Sequence, residues 1–150
     1  MSASLISVSK TTVELRPAPI PSSWIIAGDP VAESSVLSKS NDRTASTIVW
    51  QCSKGEFNWY YDVDETIYIL EGSIVIESAT MKPTKFGPGD VIFFKHGSQA
   101  RWLVEDHVRK LAFCRRTLPS TLGMMLRIVS KVKRVLLPNA RPSAPLLDHA

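Results

Sequence analysis

Between residues 46 and 116 the chain alternates apolar runs with turn signals at a spacing of about ten residues, which restricts it to short strands joined by tight connections. The runs are STIVWQCS, EFNWYYD, ETIYILEGSIVIESA, VIFFK, ARWLVE and VRKLAFCR. KFGPGD and Lys-His-Gly punctuate them, and Glu71-Gly72 bends the third run into a hairpin. Many short strands of near-even spacing build a sandwich or a barrel. Long helices are disfavoured across this region, because 10 prolines and 7 glycines are scattered along the sequence. At 150 residues and 44% apolar composition, the chain can bury the core of one domain.

The flanks read differently. Residues 1–45 mix short strand-like pieces (VEL, WII, SSVL) with the proline-extended PAPIP, and are expected to form an N-terminal arm that adds edge strands to the body. Residues 46–116 form the barrel core. Residues 117–150 hold a basic helix and tail. From 119 to 137 the period changes to that of a helix, with Ser120 or Thr121 available as a cap. Leu122, Met125, Leu126, Val129, Val132 and Leu136 share one face, while Gly123, Arg127, Ser130, Lys131 and Arg134 share the other. Pro138 stops the pattern, and NARPSAPLLDHA reads as a loose tail.

Charge follows the same division. Residues 1–116 carry 13 Lys/Arg and 13 Asp/Glu, whereas 117–150 carry 5 Lys/Arg and 1 acid, so the whole net charge of +4 lies C-terminal. A neutral body and a short basic stretch make a poor nucleic-acid footprint, and no such partner is expected. The N-terminal MSASLISVSK lacks the layout of a secretory signal, and no run is long enough to cross a bilayer, so a soluble cytoplasmic protein is expected. Cys52 and Cys114 both sit in strand patterns and are expected as buried free thiols.

Two stretches carry a family resemblance: ETIYILEG over residues 65–72 within WQCSKGEFNWYYDVDETIYILEG, and GPGDVIFFKHG over 87–97, followed by RW and VRK. Their order resembles the cupin superfamily, and most of all its small branch related to ureidoglycine aminohydrolases and ethanolamine-utilisation cupins. The resemblance implies an all-β, RmlC-like jelly-roll barrel, here with an N-terminal arm and one C-terminal amphipathic helix. It also implies where metal ligands would stand. Glu65 fits the glutamate of the first motif, but the two preceding ligand positions fall on Trp59 and Tyr61, or on Asn58 and Tyr60. The histidine of the second motif falls on Ala100. Indole, phenol and methyl groups do not ligate divalent metals, so no metal or other cofactor is expected. His96, in the turn before Gly97, is expected to face solvent, and His107 and His149 lie in a turn and in the tail. Asp62 and Asp64 read as part of a solvated acidic loop.

With Glu65 inward, alternation turns Ile67 and Ile69 inward, and Tyr68 and Leu70 outward. Ala100, Trp102 and Val104 then share the inner face. The resemblance puts Lys110 inward with Ala112 and Cys114. The interior should contain an aromatic floor of Trp59, Tyr61 and Trp102, one carboxylate from Glu65 and one ammonium from Lys110, with Lys95 at the rim. A lone buried carboxylate is costly, which makes Lys110 its expected partner and Lys95 the second choice.

Three functions fit these residues. The first is a metal-free homodimeric cupin that binds a small polar organic molecule through Trp59, Tyr61, Glu65, Lys95, Trp102 and Lys110. The second is an enzyme, either a ureidoglycine aminohydrolase-like hydrolase or a metal-independent isomerase or lyase with Glu65 and Lys110 as catalytic candidates. The third treats the barrel as a scaffold and the basic helix as the working part, docked on a membrane or partner. The sequence favours a helix packed on the barrel or across a dimer over membrane docking, because no lipidation motif supplies a second anchor.

Overall fold

The computed structural model describes residues 5–117 and 120–136. The proposed helix stop at Pro138, the tail and His149 lie outside the described residues. The chain divides into two compact units, Met1–Thr117 and Leu118–Ala150.

The first unit is a β-structure whose strands, in chain order, are β1 (Arg16–Pro17), β2 (Ile25–Ala27), β3 (Ala32–Lys39), β4 (Ala45–Tyr60), β5 (Asp64–Gly72), β6 (Ile74–Ser78), β7 (Met81–Phe86), β8 (Val91–Phe94) and β9 (Gln99–Arg115). A 3-10 turn at Ser22–Trp24 precedes β2. All the pairings are antiparallel.

Two long strands organise the unit. STIVWQCS and EFNWYYD, expected as separate strands, form the single 16-residue β4, and ARWLVE and VRKLAFCR fuse into the 17-residue β9. The polar residues between each pair of apolar runs mark a bend within a strand rather than a break. Between Ser53 and Gly55 the register shifts, because Lys54 on β4 stands opposite both Glu105 and Asp106 on β9. This is a β-bulge, and it turns the two strands together. On one side of the bend β9 pairs with β5, and on the other side with β6. One half therefore runs β1-β3-β4-β9-β5-β8, and the other adds β2 beside β4 and β6-β7 beside β9. Two halves sharing bent strands make the jelly-roll.

Two glycines permit this bend. Gly55 packs against Pro30, where a Cβ would lie 2.6 Å from the proline Cβ. Gly72, at φ 72°, ends β5 against β9, and a Cβ there would lie 2.0 Å from the His107 carbonyl oxygen. No L-side chain fits that space.

The N-terminal arm supplies real strands to the same sheet, since β3 pairs with β4 over most of its length. VEL stays outside any strand, while MKPTKF, not anticipated, forms β7. Pro83 is tolerated there because β7 pairs only with β6 and is an edge.

Alternation then fills the interior. Ile67, Ile69, Ile74 and Ile76 are essentially fully buried, each worth about 1.5–3 kcal/mol in transfer terms. Ala100, Trp102, Val104, Val108, Lys110 and Ala112 form the inner row of β9. The second unit contributes helix α1 (Ser120–Leu136).

Candidate binding site inside the barrel

β5 and β9 lie side by side in the sheet, and each sends one charged group into the interior. Lys110 stands in register between Trp50 of β4 and Ile69 of β5, four residues along β5 from Glu65. Its four-carbon stem carries the ammonium along the interior, where Nζ donates a hydrogen bond to Glu65 Oε1 at 2.6 Å. The two side chains are only 4% and 9% exposed, so this is a buried ion pair.

Aromatic rings surround the ammonium. Nζ lies 4.7 Å from the Trp102 ring centroid, 5.0 Å from that of Trp50 and 5.8 Å from that of Trp59. All three distances are within cation–π range. The rings also brace one another: Trp50 meets Trp59 and Trp102 edge-on at 5.7 and 5.9 Å, and Phe57 stacks on Trp102 at 6.0 Å. Tyr61 stacks flat on Phe94 at 4.2 Å, and its hydroxyl accepts a hydrogen bond from Trp102 Nε1 at 3.1 Å. Burial, and then the nearby Glu65 carboxylate, push the Tyr61 phenol well above its ordinary value. It therefore stays neutral.

Of the residues singled out in the sequence, the structure brings Trp59, Tyr61, Glu65, Trp102 and Lys110 into one group. Lys95 is not among them. It is exposed in the β8–β9 turn, where its carbonyl accepts from the Ser98 amide. Trp50, Phe57 and Phe94 complete the aromatic group and had not been singled out. For Trp50 the signal was its parity with Cys52 and Ile48 on β4, but only the pairing of β4 with β9 sets it opposite Lys110.

Asp64 and His96 have a structural task instead. Asp64 Oδ1 accepts from the His96 backbone amide at 2.9 Å, and Oδ2 accepts from Arg115 at 3.1 Å. The amide hydrogen bond from His96 outweighs the burial cost and, with the Arg115 guanidinium adding to it, holds the Asp64 carboxyl below its usual value. The side chain of His96 is exposed, and that of His107 pairs at the surface with Asp106 at 3.2 Å. Cys52 and Cys114 are free thiols, pushed up by burial to about 12 and about 11 respectively, with Glu65 adding to the shift at Cys114.

The donor set does not suit the metal that the fold implies. Among the described residues no three His, Cys, Asp or Glu side chains converge, and the positions expected to ligate are occupied by Trp59, Tyr61 and Ala100. Among the described residues, the Glu65 carboxylate and the Cys52 and Cys114 thiols are packed in or against the core, the thiols are held protonated by burial, and Glu65 is engaged by Lys110.

Two cavities open elsewhere on this unit. One, of about 380 Å³, is lined by Ser46, Thr47, Asp64, Thr66, Cys114 and Arg115, among others. The other, of about 530 Å³, lies where the arm residues Thr11–Val13 and Leu15 meet Glu33, Gln51 and Arg109. Glu65 and Lys110 line neither. The first cavity nonetheless reaches Cys114, the register partner of Glu65.

The EutQ-like cupin domain model matches residues 39–112. Structural likeness extends further along the chain. A protein of unknown function of the DUF861 family from Pseudomonas syringae pv. tomato superposes with a TM-score of 0.64 at 22% identity, covering 70% of this chain and 46% of that one. This chain thus spans under half the length of that relative. The putative ethanolamine utilization protein Q of Salmonella typhimurium superposes with a TM-score of 0.52 at 21% identity, covering 59% of this chain and 72% of that one. The EutQ protein of Clostridium difficile also gives 0.52, at 17% identity, over 66% of this chain and 81% of that one. No curated protein matches the sequence. At these identities the solved structures speak for the fold alone. The domain match, the shared jelly-roll and the two sequence motifs lead to one conclusion: this chain is a small member of the cupin superfamily, built around a EutQ-like cupin domain.

Proposed function

We propose that this protein is a metal-independent binding cupin that takes a small polar organic molecule into its barrel. One observation carries the reading: the ammonium of Lys110 and the carboxylate of Glu65 meet at 2.6 Å inside a wall of indole rings. A barrel that needed only filling would be as stable, or more so, with apolar side chains at both positions. A paired charge against aromatic faces is instead suited to orienting a guest, with few polar groups set among rings. The ligand class that follows is a compact molecule with an acceptor for Lys110, a donor for Glu65 and a flat or aliphatic body for Trp59 and Trp102.

A homodimer is part of this proposal. Tyr68, Val91, Phe93 and Phe113 are all at least 40% exposed, and Thr66 and Leu111 stand beside them across β5, β8 and β9. A contiguous apolar patch of that kind supports association. Sedimentation equilibrium with Phe93→Lys tests it; a parent that stays monomeric at every concentration refutes it.

The second reading rests on the absence of Glu65 and Lys110 from both described cavities. It makes the pair a structural strut. A thermal-shift screen of small polar metabolites on the parent, Glu65→Gln and Lys110→Met decides between the two. The binding reading expects a compound that raises the parent transition and neither variant's. A ligand at a hundred times its dissociation constant contributes about 2.7 kcal/mol. If no compound acts on the parent, or if one acts equally on all three, the strut reading stands.

A further inference from the structure

Helix α1 is 17 residues long and contains Arg127, Lys131, Lys133 and Arg134 but no acidic residue. At 3.6 residues per turn, its apolar positions sweep an arc of about 200°, more than half of the circumference. Leu122, Met125, Leu126, Val129, Val132 and Leu136 lie within that arc, and all six are exposed. Arg127 and Lys131 stand on the opposite side. Lys133 projects from within the arc, and its long stem can lie along apolar surface while its ammonium reaches water.

Three occupants compete for such a face, and charge separates them. A second copy of the helix would bring four cations against four cations, with no carboxylate in the segment to form the interhelical pairs that select helix partners. Residues 5–117 hold 13 basic and 13 acidic residues, so the first unit has no net negative charge to offer. An anionic lipid surface complements both features: acyl chains accept a half-circumference of aliphatic side chains, and headgroups accept the cations. The helix cannot do more than lie in the surface, since no described helix is long and apolar enough to cross a membrane.

We propose that α1 is an in-plane docking element for anionic lipid bilayers, its apolar arc set into the headgroup–acyl boundary and its cations held by acidic headgroups. This reverses the preference drawn from sequence alone, where the missing second anchor weighed against lipid. A helix without a lipid chain still binds reversibly when each cation adds its share near an anionic surface. The same arithmetic makes the attachment weak and conditional: it forms on anionic membranes and releases as salt rises, within a screening length of about 10 Å. The inference rests on the helix alone and holds whatever the barrel binds.

The experiment is co-sedimentation of the full chain with vesicles of phosphatidylcholine alone and of phosphatidylcholine mixed with phosphatidylglycerol, at low and high salt. The expected result is at least tenfold stronger partition onto the anionic vesicles, lost at high salt. Replacing Arg127, Lys131 and Lys133 together by Gln should weaken it about a hundredfold, at about fivefold per cation. Leu126→Asp with Val129→Asp should abolish it with every cation in place. An unchanged barrel unfolding transition in these variants shows that the first unit is intact. Equal binding to both vesicle types, or none to either, overturns the proposal. So does self-association without vesicles that strengthens with salt, because it would make a second copy the occupant.

Discussion

Lys110→Met is the sharpest perturbation this structure offers, since methionine keeps an unbranched stem of similar length while removing the ammonium, its charge and its hydrogen-bond donors. The replacement leaves the Glu65 carboxylate, 9% exposed, without its 2.6 Å donor. Removing one member of a buried pair costs about 3–5 kcal/mol, much of it from stranding the other charge. Three cation–π contacts disappear as well, although the methionine thioether recovers part of that through contact with the same indoles. At about 3 °C per kcal/mol for a domain of this size, the unfolding midpoint should fall by about 10–15 °C. Glu65→Gln should cost less, about 2 kcal/mol, because the amide oxygen still accepts from Nζ and the three rings still face the ammonium. In the double variant neither charge is stranded, so its loss should be smaller than the sum of the singles by at least about 2 kcal/mol. Urea denaturation with an unchanged m-value gives the four free energies. Additive effects each below about 1 kcal/mol would refute the reasoning, for then the two groups would have to be solvated and independent. The same four proteins serve the ligand screen, so stability and binding are read separately.

Tyr61→Phe should cost about 1–3 kcal/mol, measured by urea denaturation, because Trp102 Nε1 is buried and loses its acceptor. Gly72→Ala should cost at least about 2 kcal/mol more than Gly97→Ala: both glycines have positive φ, but a Cβ at 72 meets the His107 carbonyl while one at 97 meets nothing within 4 Å. Equal costs would show that the β5–β9 crossing is not tight. The pH dependence concerns Asp64, whose folded-state value is lowered below 3.8. Its contribution is therefore present above its unfolded value and is lost as pH falls through the lowered one. Urea midpoints between about pH 6 and pH 3 should drop more steeply for the parent than for Asp64→Asn, and parallel curves would count against the His96 and Arg115 contacts as its cause.

How much of this was legible in the sequence depends on the range of the interaction involved. The parity of inward residues was legible. A strand's side chains alternate with a period of two, so fixing Glu65 inward also orients Ile67 and Ile69, and the same rule orders Ala100, Trp102 and Val104. The apolar arc and basic excess of 120–136 are likewise properties of a local period. The continuity of β4 and β9 was hidden, because Ser53-Lys54 and Glu105-Asp106 carry the composition of a turn while acting as a bulge. Only pairing with a neighbouring strand distinguishes the two. The indole wall was only half visible for the same reason. Trp59 and Trp102 could be placed from motif position, but Trp50 joins them through the register that sets it opposite Lys110, 60 residues away in sequence. Sequence chemistry made Lys110 the candidate partner of Glu65 and Lys95 the alternative. What excluded Lys95 was the end of β8, which leaves that lysine in a surface turn, while β9 carries Lys110 into the core. Local period determines which way a side chain points, whereas the pairing of distant strands decides what it meets.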